Sequence, residues 1–476
     1  TWSGHFPTEQ MAALFGAAGV AVAASSLPVA AVQHGARAAA LILGGVSSLA
    51  WVMQWLSGAR GVALHGLQGN PNWLGLVLAA AIPLQLELLV DTRRRGSGWW
   101  RLWAATGVLT AWVVALSASR VAWVALLVTG VLFTGGRWRK GVMAIAATAA
   151  AVLATMGGDW AASLTGRWWL WTTSTNATIE ALPLGVGVGG FAQAFLDAQG
   201  ELLAPLPTKQ AAAQFVNATT AHNDWLEAAA IGGPMALTLL AATIALAIVE
   251  LRHRWRAGVA SVVVVAICAT GDSPLAQPGV LAMLILVLAA APRHRGLRRG
   301  FLSVHAGALA ALIVLLPQGT TRWMTHRAIA AADEAAVVER APRLESAHRQ
   351  DPSSGEVTLL LGLWLLETDN APEALRWLEH SRQHLANLGT DVAIGNCWIR
   401  LQRPDRAATA YRRALDRHPG YFRAHANLVE ALRQLGRLER AEQHLRTARE
   451  LQPGHPKLAR MAERLRRARI DATTNR

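Results

Sequence analysis

The chain has 476 residues, 53% of them hydrophobic, with 20 Trp, only 2 Cys and a formal charge of +15. Length alone would fit two or three soluble domains. Up to residue 317, however, the apolar residues fall in runs of about 15–25, which is the length of membrane-spanning helices. The basic excess sits in short clusters between those runs, as in a polytopic protein with fixed orientation, and this argues against a nucleic-acid partner. Cys268 lies in an apolar run and Cys397 in the charged tail, so neither a disulfide nor a Cys-based metal site is expected.

Taken in order, the chain opens Thr1-Trp2-Ser3-Gly4 with no basic n-region and cleavage site, so no signal peptide is expected. Membrane helices are predicted near 11–32, 38–56, 72–90, 99–117, 120–134 and 141–157. Four more follow near 224–250, 257–270, 278–291 and 300–317. The short pair at 257–270 and 278–291 flanks Gly271-Asp272-Ser273-Pro274, which reads as a broken or re-entrant element. Glu87 reads as a structural or snorkelling group.

The connections alternate in charge. Arg37, Arg93–Arg95 with Arg101, Arg137–Lys140, Arg252–Arg256 and Arg293–Arg299 fall on one side. Arg60, Arg120, Arg167 and Lys209 fall on the other. The positive-inside rule puts the first set in the cytoplasm. The non-membrane stretch 158–223 and everything after 317 then lie outside.

Residues 158–223 read as an ordered active-site loop, because long loops in compact proteins are usually functional or disordered. The loop holds Gly166-Arg167-Trp168-Trp169, the glycine run 185–190, and His222-Asn223. The glycines mimic a dinucleotide fingerprint, but no strand–helix unit surrounds them. They read instead as a tight turn over the membrane surface.

Three arginines and a histidine share the outer face. A guanidinium is a fixed fork that matches phosphate oxygens, so converging arginines would hold a diphosphate without a metal. Arg120 stands where two apolar runs meet, and an ionisable residue there is a functional candidate. His222 can accept a hydroxyl proton near neutral pH. Asp159, Glu180 and Asp224 are the alternative bases.

From about 321 the chain becomes a charged repeat array. Residues 388–421 and 422–455 align at a period of 34, with Ile394, Trp398, Ala407, Tyr411, Ala414 and Pro419 matching Leu428, Leu432, Ala441, Leu445, Ala448 and Pro453. A third unit lies near 355–387, and Arg460–Arg469 reads as a solvated capping helix. This is the tetratricopeptide pattern of paired helices, and such arrays engage peptides or proteins.

The ordered set Arg60, Gly69-Asn70-Pro71-Asn72, Ser117-Ala118-Ser119-Arg120, Gly166-Arg167 with Trp171, Pro183–Gly189 and His222-Asn223-Asp224 resembles the O-antigen ligase and O-antigen polymerase superfamily. That superfamily also includes pilin O-oligosaccharyltransferases. The likeness covers roughly 38–290. It implies an all-α fold: a polytopic GT-C-type bundle of about ten helices over 1–317, then a periplasmic tetratricopeptide solenoid over 321–476. It implies a metal-independent, inverting glycosyltransferase of the bacterial inner membrane, without a cofactor. The donor would be an undecaprenyl-diphosphate-linked glycan, and the acceptor lipid A core, a glycan or a protein. By the same likeness His222, Arg120 and Arg167 would be catalytic, and Arg60, Asn70, Asn72, Asn223 and Trp171 would bind substrate. Relatives often carry a second His two residues before the first, where this chain has Thr220. They commonly have about twelve helices against ten here; with residue 1 outside, a cytoplasmic N-terminus would require an odd number of upstream helices. Polymerase or protein-glycosylating activity is the nearest alternative. A glycan transporter or a membrane-anchored scaffold is the non-enzyme alternative.

Overall fold

A computed structural model describes residues 28–60, 63–68, 70–117, 119–133, 160–187, 189–290, 325, 327–332 and 337–474. Among them every regular element is helical. The helices of the first part are α1 (Val29–Leu56), α2 (Pro71–Arg94), α3 (Trp100–Leu116), α4 (Arg120–Phe133), α5 (Trp160–Glu180), α6 (Phe191–Leu203), α7 (Thr208–Gln214), α8 (Asp224–Leu251), α9 (Arg256–Cys268) and α10 (Pro278–Ala289).

Three of these are long and apolar enough to cross a membrane, namely α1, α2 and α8, while α3, α4 and α9 are apolar but shorter. Among the described residues, three such candidates are fewer than the expected ten or so. A helix rises about 1.5 Å per residue, so 13 or 14 residues cover only about 20 Å of a roughly 30 Å hydrocarbon layer. The helices expected at 141–157 and 300–317, and most of 11–32, lie outside the described residues. One correction concerns Arg37. It was placed in a connection, yet it lies inside α1, where its Nε donates to Glu87 Oε2 at 2.9 Å. Glu87 also accepts from Trp255 Nε1 at 2.6 Å, so it ties α1, α2 and the start of α9 together.

Helices α1 and α2 approach closely because α1 presents small residues at helical spacing: Ala36, Ala40, Gly44, Ser47 and Ser48 are all buried. Small residues let helix backbones approach closely. Gln85 of α2 fills that seam, donating to Ala40 O at 2.9 Å. The larger core joins α1, α2, α4, α8, α9 and α10 through Leu76, Val77, Leu84, Val262, Val265 and Met283.

The described residues of the 158–223 stretch lie mostly in α5–α7, joined by turns. Helix α8 is broken inside: Gly232 and Gly233 leave helical geometry just before Pro234. Pro lacks the N–H that would bond the carbonyl of residue 230. The glycine run repairs this break, with Val186 N donating to Ala230 O at 2.8 Å and Gly187 N to Ile231 O at 2.9 Å. Gly185 has φ +77, and a Cβ there would stand 2.6 Å from the Ile231 backbone. Only glycine meets both demands. The run is therefore a tight turn, as expected, and it closes onto a helix break.

The tail contains α11 (Val337–Gln350), α12 (Gly355–Glu367), α13 (Ala371–His384), α14 (Leu388–Arg400), α15 (Pro404–Arg417), α16 (Phe422–Gln434), α17 (Leu438–Leu451) and α18 (Pro456–Thr474). The pairs α12/α13, α14/α15 and α16/α17 are the three expected units, and α18 follows as the basic last helix. Pairing works by size complement: a Cβ on Gly362 would reach 2.7 Å from Leu378 Cδ2, and one on Gly395 2.6 Å from Tyr411 Cδ1. An unexpected helical unit precedes them, since Ile329 and Ala332 pack with Leu344, Ala347, Val357 and Leu361.

The array lies against the folded stretch. Helix α6 packs on α15 and α7 on α17. Arg417 Nε lies 2.7 Å from Asp197 Oδ1 of α6. Phe215 stacks on His418 with ring centres 4.0 Å apart. The array and the 158–223 stretch are therefore in direct contact.

Candidate functional site

Helix α9 stops at Cys268 and α10 starts at Pro278, with one short 3-10 turn, Pro274–Ala276, between them. Gly271, Pro274 and Pro278 explain the interruption, because each disfavours a continuous helix. Backbone groups that this break leaves outside a helix become the anchor for Arg167, Asn223 and Asp224. Arg167 Nη1 donates to Gly271 O. Asn223 Nδ2 donates to Thr270 O at 3.0 Å. Asp224 N donates to Ala269 O at 2.9 Å, and Leu275 N donates to Asp224 Oδ2 at 2.9 Å.

His222 sits at this junction. It precedes the α8 cap and has φ 46, a left-handed backbone that a non-glycine residue adopts at a cost. Asn223 caps α8 by accepting from Leu226 N at 3.0 Å. His222 Nδ1 lies 3.4 Å from Asp272 Oδ1, with the imidazole half exposed and the carboxylate 6% exposed. Asp272 Oδ1 also accepts from Ser273 N at 2.9 Å, which fixes its direction. In the tautomer with the proton on Nδ1, Asp272 accepts that hydrogen and Nε2 keeps its lone pair. A histidine so oriented can take a proton from a hydroxyl.

The phosphate-binding candidates divide. Arg167, on α5, belongs to the corner through Gly271. A Cβ on Gly271 would stand 3.3 Å from Arg167 Nη1 and 2.7 Å from Val121 Cγ2, so the first turn of α4 meets the same point. Arg120 opens that turn. Arg60 turns onto its own helix end, donating from Nη1 to Trp55 O at 3.0 Å and Ala59 O at 2.7 Å. Its guanidinium also lies 5.7 Å from the Trp55 ring centre.

The remaining candidates have structural duties. Asn70 caps α2, accepting from Asn72 N at 2.8 Å. Trp171 packs with Leu170, Phe191, Phe195, Ala218 and Ala221. Its Nε1 is buried without a hydrogen-bond partner among the described residues. Glu180 is the exposed last residue of α5, and Asp159 lies outside the described residues. No three His, Cys, Asp or Glu side chains among the described residues group to hold a metal. Asp272 was the missed participant. Its signal was the Gly-Asp-Ser-Pro break, whose carboxylate had no visible partner along the sequence.

Residues 399–456 match the tetratricopeptide repeat model. No curated protein matches the chain. Among solved structures, MamA MSR-1 C2 is similar at 24% identity over 32% of this chain and 92% of that one, with a TM-score of 0.26. MamA AMB-1 is similar at 24% identity over 34% and 92%, with a TM-score of 0.26. The APC/C hetero-tetramer Cut9-Hcn1 is similar at 12% identity over 58% and 56%, with a TM-score of 0.26. The tail is thus a tetratricopeptide array, assigned on the matched residues and the observed helix pairs, and such arrays point to a protein partner.

Proposed function

We propose that this chain transfers a glycan from undecaprenyl diphosphate to an acceptor hydroxyl, in the manner of an O-antigen ligase, on the periplasmic face of the bacterial inner membrane. The observation that carries the reading is the meeting of Arg167, His222 and Asp272 at one helix break, beside the turn that Arg120 opens. The hydroxyl oxygen attacks the anomeric carbon while the bond from that carbon to the diphosphate oxygen breaks. The hydroxyl proton passes to His222 Nε2, and undecaprenyl diphosphate leaves with the bonding pair. Negative charge grows on the diphosphate in the transition state, where fixed arginine donors stabilise it more than in the ground state. A single displacement inverts the anomeric centre.

The membrane placement is supported by two exposed apolar stripes. Ile42, Val46, Leu49, Met53 and Leu56 form one on α1, and Met235, Leu239, Leu246 and Val249 form another on α8. Contiguous apolar surface of this kind marks lipid or partner contact. The alternation of Arg-rich connections supports the orientation.

The test is the purified full chain with an undecaprenyl-diphosphate-linked glycan and a lipid A core, glycan or protein acceptor. Transfer with release of undecaprenyl diphosphate is expected, and the acceptor used selects ligase, polymerase or protein-glycosylating activity. Glycan crossing a vesicle without transfer would make it a transporter, and neither outcome would leave a scaffold.

A further inference from the structure

Residues 215–223 carry His222 yet form no helix, so their backbone depends on side chains and neighbouring elements for partners. At the α8 end the segment is held by Asn223 and Asp224. At the other end it is held by Gln199 of α6. That side chain is fully buried; its Nε2 donates to Val216 O at 2.9 Å and its Oε1 accepts from Val216 N at 2.7 Å. One amide thus satisfies both backbone groups of one residue. Ala218 and Ala221 then enter the cluster with Leu170, Phe195 and Ala230, and His222 follows.

The same helix is the one the repeat array grips. Asp197, two residues before Gln199, meets Arg417, which also lies 3.6 Å from the buried Asp391 carboxylate of α14. Gly200, the next residue, meets the end of α15 backbone to backbone: a Cβ there would lie 2.9 Å from Arg417 Cα. A Cβ on Gly420 would lie 2.5 Å from Ala212 of α7. Phe215, adjacent to Val216, stacks on His418. Residues 215 and 216 are therefore gripped in succession, one by the array and one by the helix the array seats.

We infer that the repeat array positions His222: Arg417 and His418 seat α6 and Phe215, and Gln199 passes that placement to residues 216–222. Gln199 is a positioning residue, and the array is part of the working unit as well as a protein-binding surface. The inference rests on the proposed role of His222 as base. A displacement of about 1 Å at a reacting group can cost ~10²-fold in rate.

The experiment compares the full chain with Gly420→Leu, Arg417→Ala, Gln199→Leu and Gln199→Glu. Amide hydrogen exchange is followed at 208–222, and transfer is measured from an undecaprenyl-diphosphate-linked glycan. Gly420→Leu should raise exchange at both 208–214 and 216–222, with α8 and α12 unchanged, and lower kcat by about 10²-fold with KM little altered. Arg417→Ala adds no volume and should move the same amides less, so the test survives if the wedge variant does not fold. Gln199→Glu keeps the acceptor for Val216 N and should retain more activity than Gln199→Leu. Raised exchange at 216–222 supports the proposal even in a chain that transfers no glycan, where the failure belongs to the reading of the reaction. Unchanged exchange at 216–222 once 208–214 is released overturns it.

Discussion

His222 Nδ1 and Asp272 Oδ1 stand 3.4 Å apart across 50 residues of sequence. A buried carboxylate whose other bond is to its neighbour's N–H has little freedom to turn, so it sets the ring's tautomer and direction. Asp272→Asn keeps the size and removes the charge. Turnover should fall by ~10²–10⁴-fold, the range typical for loss of a positioned base. His222→Ala should fall comparably, and the double variant should lose little more than either single change, because the pair acts as a unit. Additive losses would separate the two residues.

Arg167 donates to Gly271 O across 104 residues of sequence, which places its guanidinium at the corner. Lysine keeps the charge and loses the fork. A charge-assisted hydrogen bond contributes about 1.5–3 kcal/mol, or roughly 10–150-fold in affinity. Arg167→Lys should weaken donor binding within that range, measured by titration with the lipid-linked glycan. Arg60→Ala should change donor binding less than about twofold, because its interactions are local and exposed. A larger loss in Arg60→Ala would return that residue to the binding site.

Gly185 and Ile231 meet backbone to backbone at the break in α8. Gly185→Ala adds a left-handed cost of about 1–2 kcal/mol and a collision with the Ile231 carbonyl. The variant should therefore lose at least that much stability in thermal unfolding. Gly187→Ala meets no atom within 4 Å and has φ +76, so it should bear the backbone cost alone. Equal losses in the two variants would show that the strap on α8 yields.

The contact between array and folded stretch should be acid-sensitive. Burial, reinforced by the neighbouring His425, pushes His418 down from 6.5 to about 4. The unfolded chain then binds more protons than the folded one between those values, so stability rises with pH across that window. The contribution is fully present above pH 6.5 and disappears as pH falls through about 4. The melting temperature should drop on acidification, and His418→Gln should flatten that dependence. An unaltered slope in His418→Gln would assign the acid response to His425 and His444, whose Nδ1 atoms lie 2.9 Å apart.

Local pattern carried much of this protein's design. Apolar runs marked α2, α8 and the shorter helices, because a long apolar run favours a helix that hides its backbone polar groups. The 34-residue spacing of Trp398/Leu432 and Tyr411/Leu445 marked the array, because each helix pair buries the same face on its neighbour. The unit before it was obscured by its Ala-rich sequence, which lacks the Gly and Tyr landmarks. Side-chain chemistry singled out Arg167 and His222 as candidates. Tertiary structure alone brought Asp272 to His222, turned Asn70 and Asn223 into helix caps, folded Arg60 onto Trp55 and set Gln199 beneath Val216. Each of these pairings is decided by where a chain break leaves polar groups without partners, and a break's partner can come from any distance along the sequence. The seat of α6 on the repeats has the same cause. Gly200 and Gly420 are ordinary in sequence, and only the approach of two backbones shows why neither position can carry a side chain.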